Sequence, residues 1–584
     1  MKIRDGKFYK VALLILTMIF AIMLCGFNFS VNKEKETEEE PVSKDVLLTE
    51  SEYPFYFISM DDESTIKLYF TDESREIPYI DSDTAKELLE RTNHEANNDK
   101  GYKLSVSENG SITTFTRENK HTMTIDSEKD VISFVDYDAF FAPSWSNTVI
   151  DTLEHYGTID YLQINKEKSY SRSGSSVDID MSKYGIDIIG KDGKCYIPLQ
   201  TFSDIAISLP CYVSLIYNRK AVYANELTMK EDSTFFSNLY SAGTGKRSRN
   251  LADFTYNEFC MVMDHFYGLK DRQGIEDSFD KYIADSGLKD RFLSEDPEVF
   301  GMALSNLLEL YIDDLHSFYL NNSYLAGKDL EFNRRGGLSL RGYLECSKRL
   351  EKAREEKFPN GVPAYEEIGN TAFITFDQFD TLEDDTDYYK NPPTADTKNA
   401  VGILLYAFNQ ITRKDSPIEN VVFDLSLNGG GDQTTTCFML SMILGDSSIT
   451  VEDTLTGAFV CERFMADANL DGKFDAKDSL AEYNLYCITS PCTFSCANLA
   501  ASELNNSHMV TILGQTSGGG TCIVIPFTLA DGTFVRVSSC RRFSNMKNGA
   551  LYDIDQGIEP DIYIGKPSAF YDRDALTEYI NSIP

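Results

Sequence analysis

Residues 420–444 read NVVFDLSLNGGGDQTTTCFMLSMIL, and this stretch indicates how the second half of the chain folds. NVVFDLSL at residues 420–427 is mostly apolar and carries β-branched side chains, a pattern typical of a buried strand. A glycine turn follows at residues 428–431, and residues 434–444 have the composition of a helix. Strand, turn and helix in succession predict an α/β unit.

The same alternation continues towards the carboxyl terminus. The predicted elements are strands at residues 372–376, 485–489 and 509–513, a helix at 495–504 and a hairpin over 521–537. The hairpin is expected to turn at Ala530-Asp531-Gly532, because these residue types favour tight turns. The carboxyl-terminal half is therefore predicted to be α/β.

Residues 251–319 have a helical pattern. The clearest helix begins at Asp296 as the N-cap, with Pro297 in the first turn. Its apolar side chains recur every three or four residues from Phe300 to Ile312, as expected for one buried helix face. A helical subdomain is thus predicted before the α/β core.

The region before residue 245 has short β-type runs separated by turn residues, which predicts a β-rich accessory region. Two of its segments are similar: EIPYI at residues 76–80 and CYIPL at 195–199 each precede a short helix-like stretch. This weak internal repeat resembles the stalk-like modules of bacterial surface proteins, which are similar to the amino-terminal domain of copper amine oxidases. No catalysis is expected there.

The amino terminus has the pattern of a targeting segment. Four basic residues lie within residues 1–10, and residues 11–27 contain no charge. A basic flank before an apolar run of this length predicts a signal-anchor, with the remainder of the chain outside the cell membrane. A cleaved signal peptide and a lipoprotein signal at Cys25 are the alternatives, and the charged residues 31–50 are predicted to be a linker.

Composition limits the kinds of partner. Lys and Arg number 55 against 92 Asp and Glu, which gives a formal net charge of −37 for 584 residues. So acidic a surface excludes nucleic acid as the expected partner, because phosphate contacts need clustered cations. The twelve cysteines show no C-x-x-C pair and no disulfide framework, so they are interpreted as small buried apolar side chains.

A second stretch carries candidate chemistry. SPCTFSCANLAAS at residues 490–502 lies between the glycine run at 428–431 and another at 518–520. A serine in a small-residue turn at a helix start, beside glycine loops, is how a chain presents a nucleophile to exposed backbone amides. The stretch therefore predicts a serine hydrolase, with Ser495 as nucleophile and Ser490 as a second candidate. A helix N-cap is the non-catalytic interpretation of Ser495.

Four motifs occur in a fixed order: FDLSLNGGGD, TFSCAN, GQTSGGGT and GIEPDI. In this the chain resembles the C-terminal processing peptidases, including their tricorn-core relatives, over roughly residues 251–584. The resemblance implies a crotonase-like α/β fold, serine peptidase activity and a polypeptide substrate. It also implies that Ser495 is the nucleophile, because the family serine lies about 19 residues before the glycine that here is Gly514.

The oxyanion of an acyl-transfer intermediate needs backbone amides that no side chain obstructs. Gly429 and Gly430, directly after the predicted strand, meet this requirement, and the amide of Cys496 adjoins the nucleophile. These three amides are the predicted oxyanion hole. A tight strand-to-helix turn is the competing interpretation of the glycines.

The sequence identifies the general base less directly than it identifies the nucleophile. Family members with a Ser-Lys dyad place lysine in the second glycine segment, but the next lysine after Ser495 here is Lys547. The tricorn-like branch instead uses a histidine after the helical region, which implies His316, oriented by an acid near GIEPD. Asp553 and Asp555 are both available. His508 is a rival base, placed at the far end of the helix that Ser495 begins.

Residues 467–478, DANLDGKFDAKD, have the spacing of a calcium loop. The expected ligands are the side chains of Asp467, Asn469, Asp471, Asp475 and Asp478 with the carbonyl of Lys473. An aspartate at the twelfth position resembles dockerin-type loops, so a structural Ca²⁺ is predicted rather than a regulatory one. No cofactor is expected to be required for catalysis.

These observations predict an extracytoplasmic serine endopeptidase whose oligomeric state stays open. The alternative is an inactive surface module that uses the same fold to bind extended polypeptide. The predicted divisions are a targeting segment at 1–30, a linker at 31–50, an accessory region at 51–245, a helical subdomain at 246–330 and a peptidase core at 331–584 with the calcium loop inserted at 467–478.

Overall fold

A computed structural model of the chain describes residues 46–96, 101–226, 233–240, 245–321, 323–326, 336–383, 385–547 and 549–583. The predicted targeting segment at 1–30, and the predicted linker up to residue 45, lie outside these residues. In the part of the chain so described, no helix has the length and apolar character needed to cross a membrane. Residues 47–584 belong to one structural unit.

Among the described residues between 49 and 226, fourteen strands occur. They are β1 Thr49–Phe57, β2 Glu63–Phe70, β3 Tyr79–Asp81, β4 Leu104–Asn109, β5 Ile112–Arg117, β6 His121–Asp126, β7 Val131–Phe134, β8 Leu162–Ile164, β9 Tyr170–Arg172, β10 Val177–Asp180, β11 Ile189–Lys191, β12 Lys194–Pro198, β13 Val213–Tyr217 and β14 Val222–Glu226. One sheet has the order β11-β12-β3-β2-β1-β14-β13, and a second has the order β10-β7-β6-β5-β4.

The two similar segments lie next to each other in the larger of these sheets. Strands β3 and β12 pair antiparallel, with Ile197 opposite Ile80. Each strand leads directly into a helix, at Ser82–Ala96 and at Leu199–Ser203. The likeness seen in the sequence therefore corresponds to two strand-helix units that meet edge to edge.

Twelve further strands follow in the described part of residues 227–583. They are β15 Phe318–Asn321, β16 Tyr365–Ile368, β17 Thr371–Thr375, β18 Asn420–Asp424, β19 Ser447–Asp453, β20 Phe459–Ala466, β21 Asn484–Thr489, β22 Val510–Gly514, β23 Cys522–Thr528, β24 Phe534–Lys547, β25 Ala550–Asp553 and β26 Ile562–Tyr563. The predicted hairpin is confirmed as β23 and β24, and the strands predicted at 372–376, 485–489 and 509–513 correspond to β17, β21 and β22.

Helices occupy both halves of the chain. The α-helices are Ser82–Ala96, Tyr137–Phe141, Thr152–Tyr156, Leu199–Ser203, Leu209–Cys211, Ser233–Tyr240, Arg249–Phe266, Phe279–Asp285, Lys289–Phe292, Pro297–Asn306, Leu338–Lys357, Ala400–Ile411, Gln433–Leu444, Cys496–Ser507 and Arg573–Ile580. Asp296 caps its helix as predicted, since its side chain accepts a hydrogen bond from the amide of Glu298. After Asn306 the helix continues as a π-helix over Leu307–Ile312.

The mixed α/β class is confirmed, and its main sheet explains where the functional loops lie. This sheet has the order β16-β17-β18-β21-β22-β26, and every pairing from β17 to β26 is parallel. Strands β17 and β18 are buried at every position, as parallel strands covered on both faces require. The loops after the neighbouring strands β18 and β21 consequently emerge at one edge, where α/β proteins place their sites.

A second sheet brings the amino-terminal segments to the same core. Its order is β15-β24-β19-β20-β8, with β23 and β25 also on β24 and β9 on β20. Strands β8 and β9 belong to the predicted accessory region, yet they pair with β20 of the carboxyl-terminal half. The boundary predicted at residue 245 therefore does not separate the sheets.

The cysteines agree with their sequence interpretation. Those in the described part of the chain, from Cys195 to Cys540, are all free thiols, and each is buried except Cys346, which is half-buried. They act as small apolar side chains in the core.

Candidate active site

Ser495 occupies a strained turn between β21 and the helix Cys496–Ser507. Its backbone has φ of 57° and ψ of −126°, a conformation that residues other than glycine rarely adopt. Its hydroxyl makes no capping hydrogen bond to the helix that follows. The N-cap interpretation therefore does not describe this side chain, and the strain holds it out into a cavity, as in the turns that present nucleophiles in other hydrolases.

The second glycine run holds this turn in place. The amide of Ser495 donates to the carbonyl of Gly519 at 2.9 Å, and the amide of Gly518 donates to Thr493 at 2.8 Å. A methyl group on Gly520 would lie 2.3 Å from the ring of Phe494. Family members with a Ser-Lys dyad carry a lysine in this second glycine run. In this chain the run packs closely against the turn that holds Ser495, and Gly520 leaves no room for a side chain.

Ser490, the second candidate nucleophile, is fully buried. Its hydroxyl donates to the carbonyl of Ser426 and accepts from the amide of Cys492. The first bond connects the loop after β18 to the loop after β21, and the second lies within the loop after β21, so Ser490 stabilises the turn and does not face the cavity.

The first glycine run approaches the nucleophile closely. A methyl group on Gly430 would lie 2.6 Å from Cβ of Ser495 and 2.9 Å from the amide nitrogen of Cys496. In this structure, however, the Gly429 amide donates to the carbonyl of Asp377 at 3.1 Å and the Gly430 amide donates to Oδ1 of Asn428 at 2.9 Å. Of the three predicted oxyanion donors, only the Cys496 amide lacks an acceptor within the described residues.

Gly430→Ala is expected to disable the site through contact with Ser495 and to lower turnover by at least about 100-fold, since small misplacements of a nucleophile cost this much. A matched control is Gly445→Ala, because Gly445 also has a positive φ of 82° but its nearest neighbouring atom would be 3.6 Å away. Both variants carry backbone strain of about 1–3 kcal/mol. Equal activity losses in the two, measured at equal folded fractions, would contradict the role of Gly430.

His316 also lines this cavity. Its ring contacts the ring of Phe494, with centroids 4.6 Å apart, and only 7% of the residue is exposed. Burial chiefly, and then the positive charge of Arg536, lower the pKa of His316 to about 4, while Asp555 opposes this. The imidazole is therefore neutral at neutral pH and able to accept a proton.

The candidate base and the candidate nucleophile are not hydrogen-bonded to each other among the described residues. No hydrogen bond connects His316 to Ser495 in the described part of the chain, and Nδ1 of His316 is buried without a hydrogen-bond partner. Catalytic hydrogen bonds often tighten only when substrate binds. The rival His508 is exposed at the far end of the helix and does not line the cavity.

The two candidate acids differ in their surroundings. Asp555 is within electrostatic range of His316, and its Oδ1 accepts from the amides of Gly520 and Thr521 at 3.2 and 3.0 Å. Burial is the main cause that raises the pKa of Asp555. Asp553 is more exposed and accepts from the amide of Asp555 at 2.8 Å. The geometry favours Asp555, although neither carboxylate bonds to the imidazole here.

Two residues that sequence reasoning missed surround His316. Asp314 accepts from the amide of His316 at 3.0 Å and from the hydroxyl of Ser317, which fixes the turn before β15. Arg536, in β24, donates through Nε to the carbonyl of His316 at 3.4 Å. The Asp-x-His spacing signals the turn, and a charge within the apolar strand FVRVSS signals the arginine, but only strand pairing brings the two together.

A cavity of about 630 Å³ unites these groups. Its walls include Ser495, His316, Arg536 and Phe494, with the glycine run at 429–431. Neither Asp553 nor Asp555 contributes to its lining. The cavity is large enough for a few residues of an extended peptide to lie against Ser495 and His316.

The predicted calcium loop folds around its own amides. Asp467 accepts from the amides of Asp471 and Gly472, and Asp478 accepts from those of Asn469 and Asp475. Burial raises the pKa of Asp478, and the nearby Asp467 carboxylate adds to the rise. Neither in this loop nor in the other described residues do three or more His, Cys, Asp or Glu side chains form a group that could hold a metal ion.

Residues 371–564 match the sequence model of Peptidase family S41. This range includes Ser495, both glycine runs and the two candidate acids, whereas His316 precedes it. The match to this peptidase family therefore covers about a third of the chain. No curated protein matches the chain.

Several solved structures are similar to parts of the chain. The photosystem II D1 C-terminal processing protease is 19% identical over 36% of this chain and 47% of its own, with a TM-score of 0.26. A lipoprotein from Streptococcus agalactiae is 16% identical over 58% of this chain and 98% of its own, with a TM-score of 0.34. Mature CPAF is 10% identical over 57% of this chain and 96% of its own, with a TM-score of 0.35.

Proposed function

We propose that this chain, whose residues 371–564 match Peptidase family S41, is a serine endopeptidase that cleaves polypeptides through an acyl-enzyme. The observation that carries the proposal is the strained, uncapped Ser495 at the mouth of a cavity that His316 also lines. Strain of this kind persists where the surrounding structure enforces it, and strained residues cluster at active sites, ligand clamps and switch regions.

The chemistry assigns one role to each side of the cavity. Ser495 Oγ attacks the scissile carbonyl while His316 takes its proton and returns it to the leaving amine. Water then hydrolyses the acyl-enzyme by the reverse proton route. Asp555 is the proposed acid that stabilises the imidazolium, since its charge already acts on His316. A histidine base is what the resemblance to the tricorn-like branch implies, and its use here is part of the proposal.

The oxyanion is proposed to bind first at the Cys496 amide, which has no acceptor in the described part of the chain and lies at the positive end of the helix Cys496–Ser507. The amide of Gly430 is the second donor, and it exchanges its bond to Asn428 Oδ1 for the substrate oxygen. One such donor contributes about 3 kcal/mol to transition-state stabilisation. Gly429 is expected to contribute by leaving the approach open.

A fluorophosphonate probe tests the proposal most directly, because it labels only a serine that its surroundings activate. The full chain is expected to be labelled at Ser495, and a peptide map locates the adduct. Absence of labelling in the folded protein would favour the alternative, an inactive module that uses the fold to bind extended polypeptide.

The wider setting of the domain is also a proposal. The motif order supports a crotonase-like core after a helical subdomain, and the basic and apolar residues 1–27 support a membrane-anchored protein with its peptidase outside the cell. Secretion and lipid attachment are the other forms of the same export hypothesis. Fractionation of cells expressing the full chain separates them.

We also propose that the loop at 467–478 binds Ca²⁺ as a structural clamp. Oxygen donors at the spacing of a calcium loop, and the mutual repulsion of Asp467 and Asp478, support it. A cation would relieve that repulsion. Asp467 also accepts from the hydroxyl of Tyr389 at 2.8 Å, so the loop connects to a distant segment of the core.

Calcium at 10 mM is expected to stabilise the full chain by ~1.4–2.7 kcal/mol, given Kd values of roughly 10⁻³ to 10⁻⁴ M for such modules. Thermal unfolding with and without chelator measures this. Asp471→Asn keeps the acceptor for the Lys473 amide while removing a charge, so it is expected to reduce the Ca²⁺ effect. Asp192→Asn, in an exposed turn, is the control. A melting temperature that does not change with Ca²⁺ would contradict the proposal that this loop is a structural calcium site.

A further inference from the structure

Arg536 is the one Lys or Arg side chain among the described residues that line the catalytic cavity. Its position in β24 lies opposite Phe318 in β15, and its guanidinium carbon lies 4.1 Å from the centre of the Phe318 ring. Its Nε donates to the carbonyl of His316 at 3.4 Å. These two contacts hold the guanidinium beside the proposed base.

Among the residues that the structure describes, this guanidinium has no carboxylate partner. In the described part of the chain no acidic oxygen lies within ion-pair distance of Arg536, and Asp314 attracts it only from further away. The carboxylate of the cavity, Asp377, is already held by Arg354 through two bonds of 2.7 Å. Among the described residues that line the cavity, the charge left without an ion pair is therefore the positive charge of Arg536. This contrasts with the formal net charge of the chain, which is −37.

Other half-buried arginines around the site show how this chain normally treats such a charge. Arg272 pairs with Asp555, and Arg542 pairs with Glu452 at 2.6 Å. Burial lowers the pKa of Arg536, which is the mark of a charge that has lost water. A guanidinium withdrawn from water without an anion is costly, so a site that retains one has an anion to receive.

The terminal nitrogens of Arg536 have no hydrogen-bond acceptor within the described residues, because its single bond uses Nε. A guanidinium offers these nitrogens as a planar fork that matches a carboxylate. Resting on the proposed function, we propose that Arg536 binds a carboxylate of the polypeptide in the cavity, either an acidic side chain near the scissile bond or a free carboxyl terminus. The peptidase then prefers anionic substrate segments at this subsite.

Binding of this carboxylate also affects the base. The charge of Arg536 is one of the causes that depress the pKa of His316. A substrate carboxylate paired with Arg536 offsets that charge, so the imidazole becomes a better proton acceptor when the preferred substrate is in place. Recognition and catalysis are thereby connected through one arginine.

The test measures binding to the full chain as Ser495→Ala, so that it does not depend on turnover. Three fluorescent decapeptide pools are compared by anisotropy. One has a fixed Glu and an amidated terminus, one has Gln at that position and an amidated terminus, and one has Gln with a free carboxyl terminus. We expect at least one carboxylate pool to bind about tenfold more tightly than the neutral pool.

Arg536→Gln is expected to abolish this preference, and Arg536→Lys to restore part of it, since the charge returns without the fork. Lys547→Gln removes the same charge from an exposed position on the same strand and should keep the preference. Melting temperatures establish that each variant is folded. Whichever carboxylate pool responds identifies the source of the carboxylate.

Equal binding of the three pools, including no binding, overturns the inference, and so does a preference that survives Arg536→Gln. Turnover by the wild-type chain is measured separately. Turnover without a carboxylate preference contradicts only the role of Arg536. A preference without fluorophosphonate labelling contradicts the peptidase and leaves the carboxylate site in place.

Discussion

Ser495→Ala is expected to eliminate fluorophosphonate labelling and to lower kcat by a factor on the order of 10⁶, because no other hydroxyl in the cavity occupies its place. Steady-state cleavage of a quenched fluorescent peptide measures the loss. Affinity for the peptide should change little, since the side chain removed is small and makes no capping bond.

A positive φ makes this variant informative about stability as well. Alanine at φ of 57° carries the same backbone strain as serine, so the melting temperature should stay near that of the parent protein. Ser495→Gly relieves the strain and should raise the melting temperature while leaving the enzyme inactive. Ser490→Ala is the contrasting change, because it removes two buried hydrogen bonds and should destabilise the fold. Residual labelling of Ser495→Ala would assign the nucleophile elsewhere.

His316→Ala is expected to lower kcat by a factor on the order of 10⁴, since the proton of Ser495 then loses its proposed acceptor. His508→Asn is the matched control, because Asn also adopts the left-handed conformation that His508 has, with φ of 57°. The control should retain full activity. If the effects were reversed between the two histidines, the assignment of the base would be wrong.

The pH profile provides an independent readout. His316 acts as a base only when neutral, and its pKa is lowered to about 4, so kcat/KM should stay high well below pH 6.5 and fall towards pH 4. Burial as the neutral form has a stability consequence with the same sign. Stability is present above the unfolded pKa of about 6.5 and is lost as pH falls through the folded pKa. An acid limb near pH 6.5 in the free enzyme would contradict this environment.

The main sheet and the nucleophile loop were predictable because their signals are local. The apolar run before Asn428 and the small residues around Ser495 each specify a short element that needs few distant contacts. Parallel pairing of β18 and β21 then brings the two loops to one edge. The structure supplies both this pairing and its register.

Long-range contacts limited the rest of the prediction. Asp314 and Arg536 act on His316 through a turn and through the pairing of β15 with β24, which lie more than 200 residues apart in the chain. The amides of Gly429 and Gly430 were predicted as free donors, but loop closure gives them to Asp377 and Asn428. Whether a backbone amide stays free depends on which groups approach it in the folded chain. These long-range contacts cannot be read from a single sequence.

The sequence by itself determined the α/β class, the glycine runs and the serine turn, because these depend on the residue types within about ten positions of each other. Only the tertiary structure decided that Ser495 is strained and uncapped, that Ser490 is buried, and that Arg536, which has no ion pair among the described residues, lies beside His316. The physical reason is desolvation. Whether a polar group becomes reactive or merely satisfied depends on which distant groups exclude water from it.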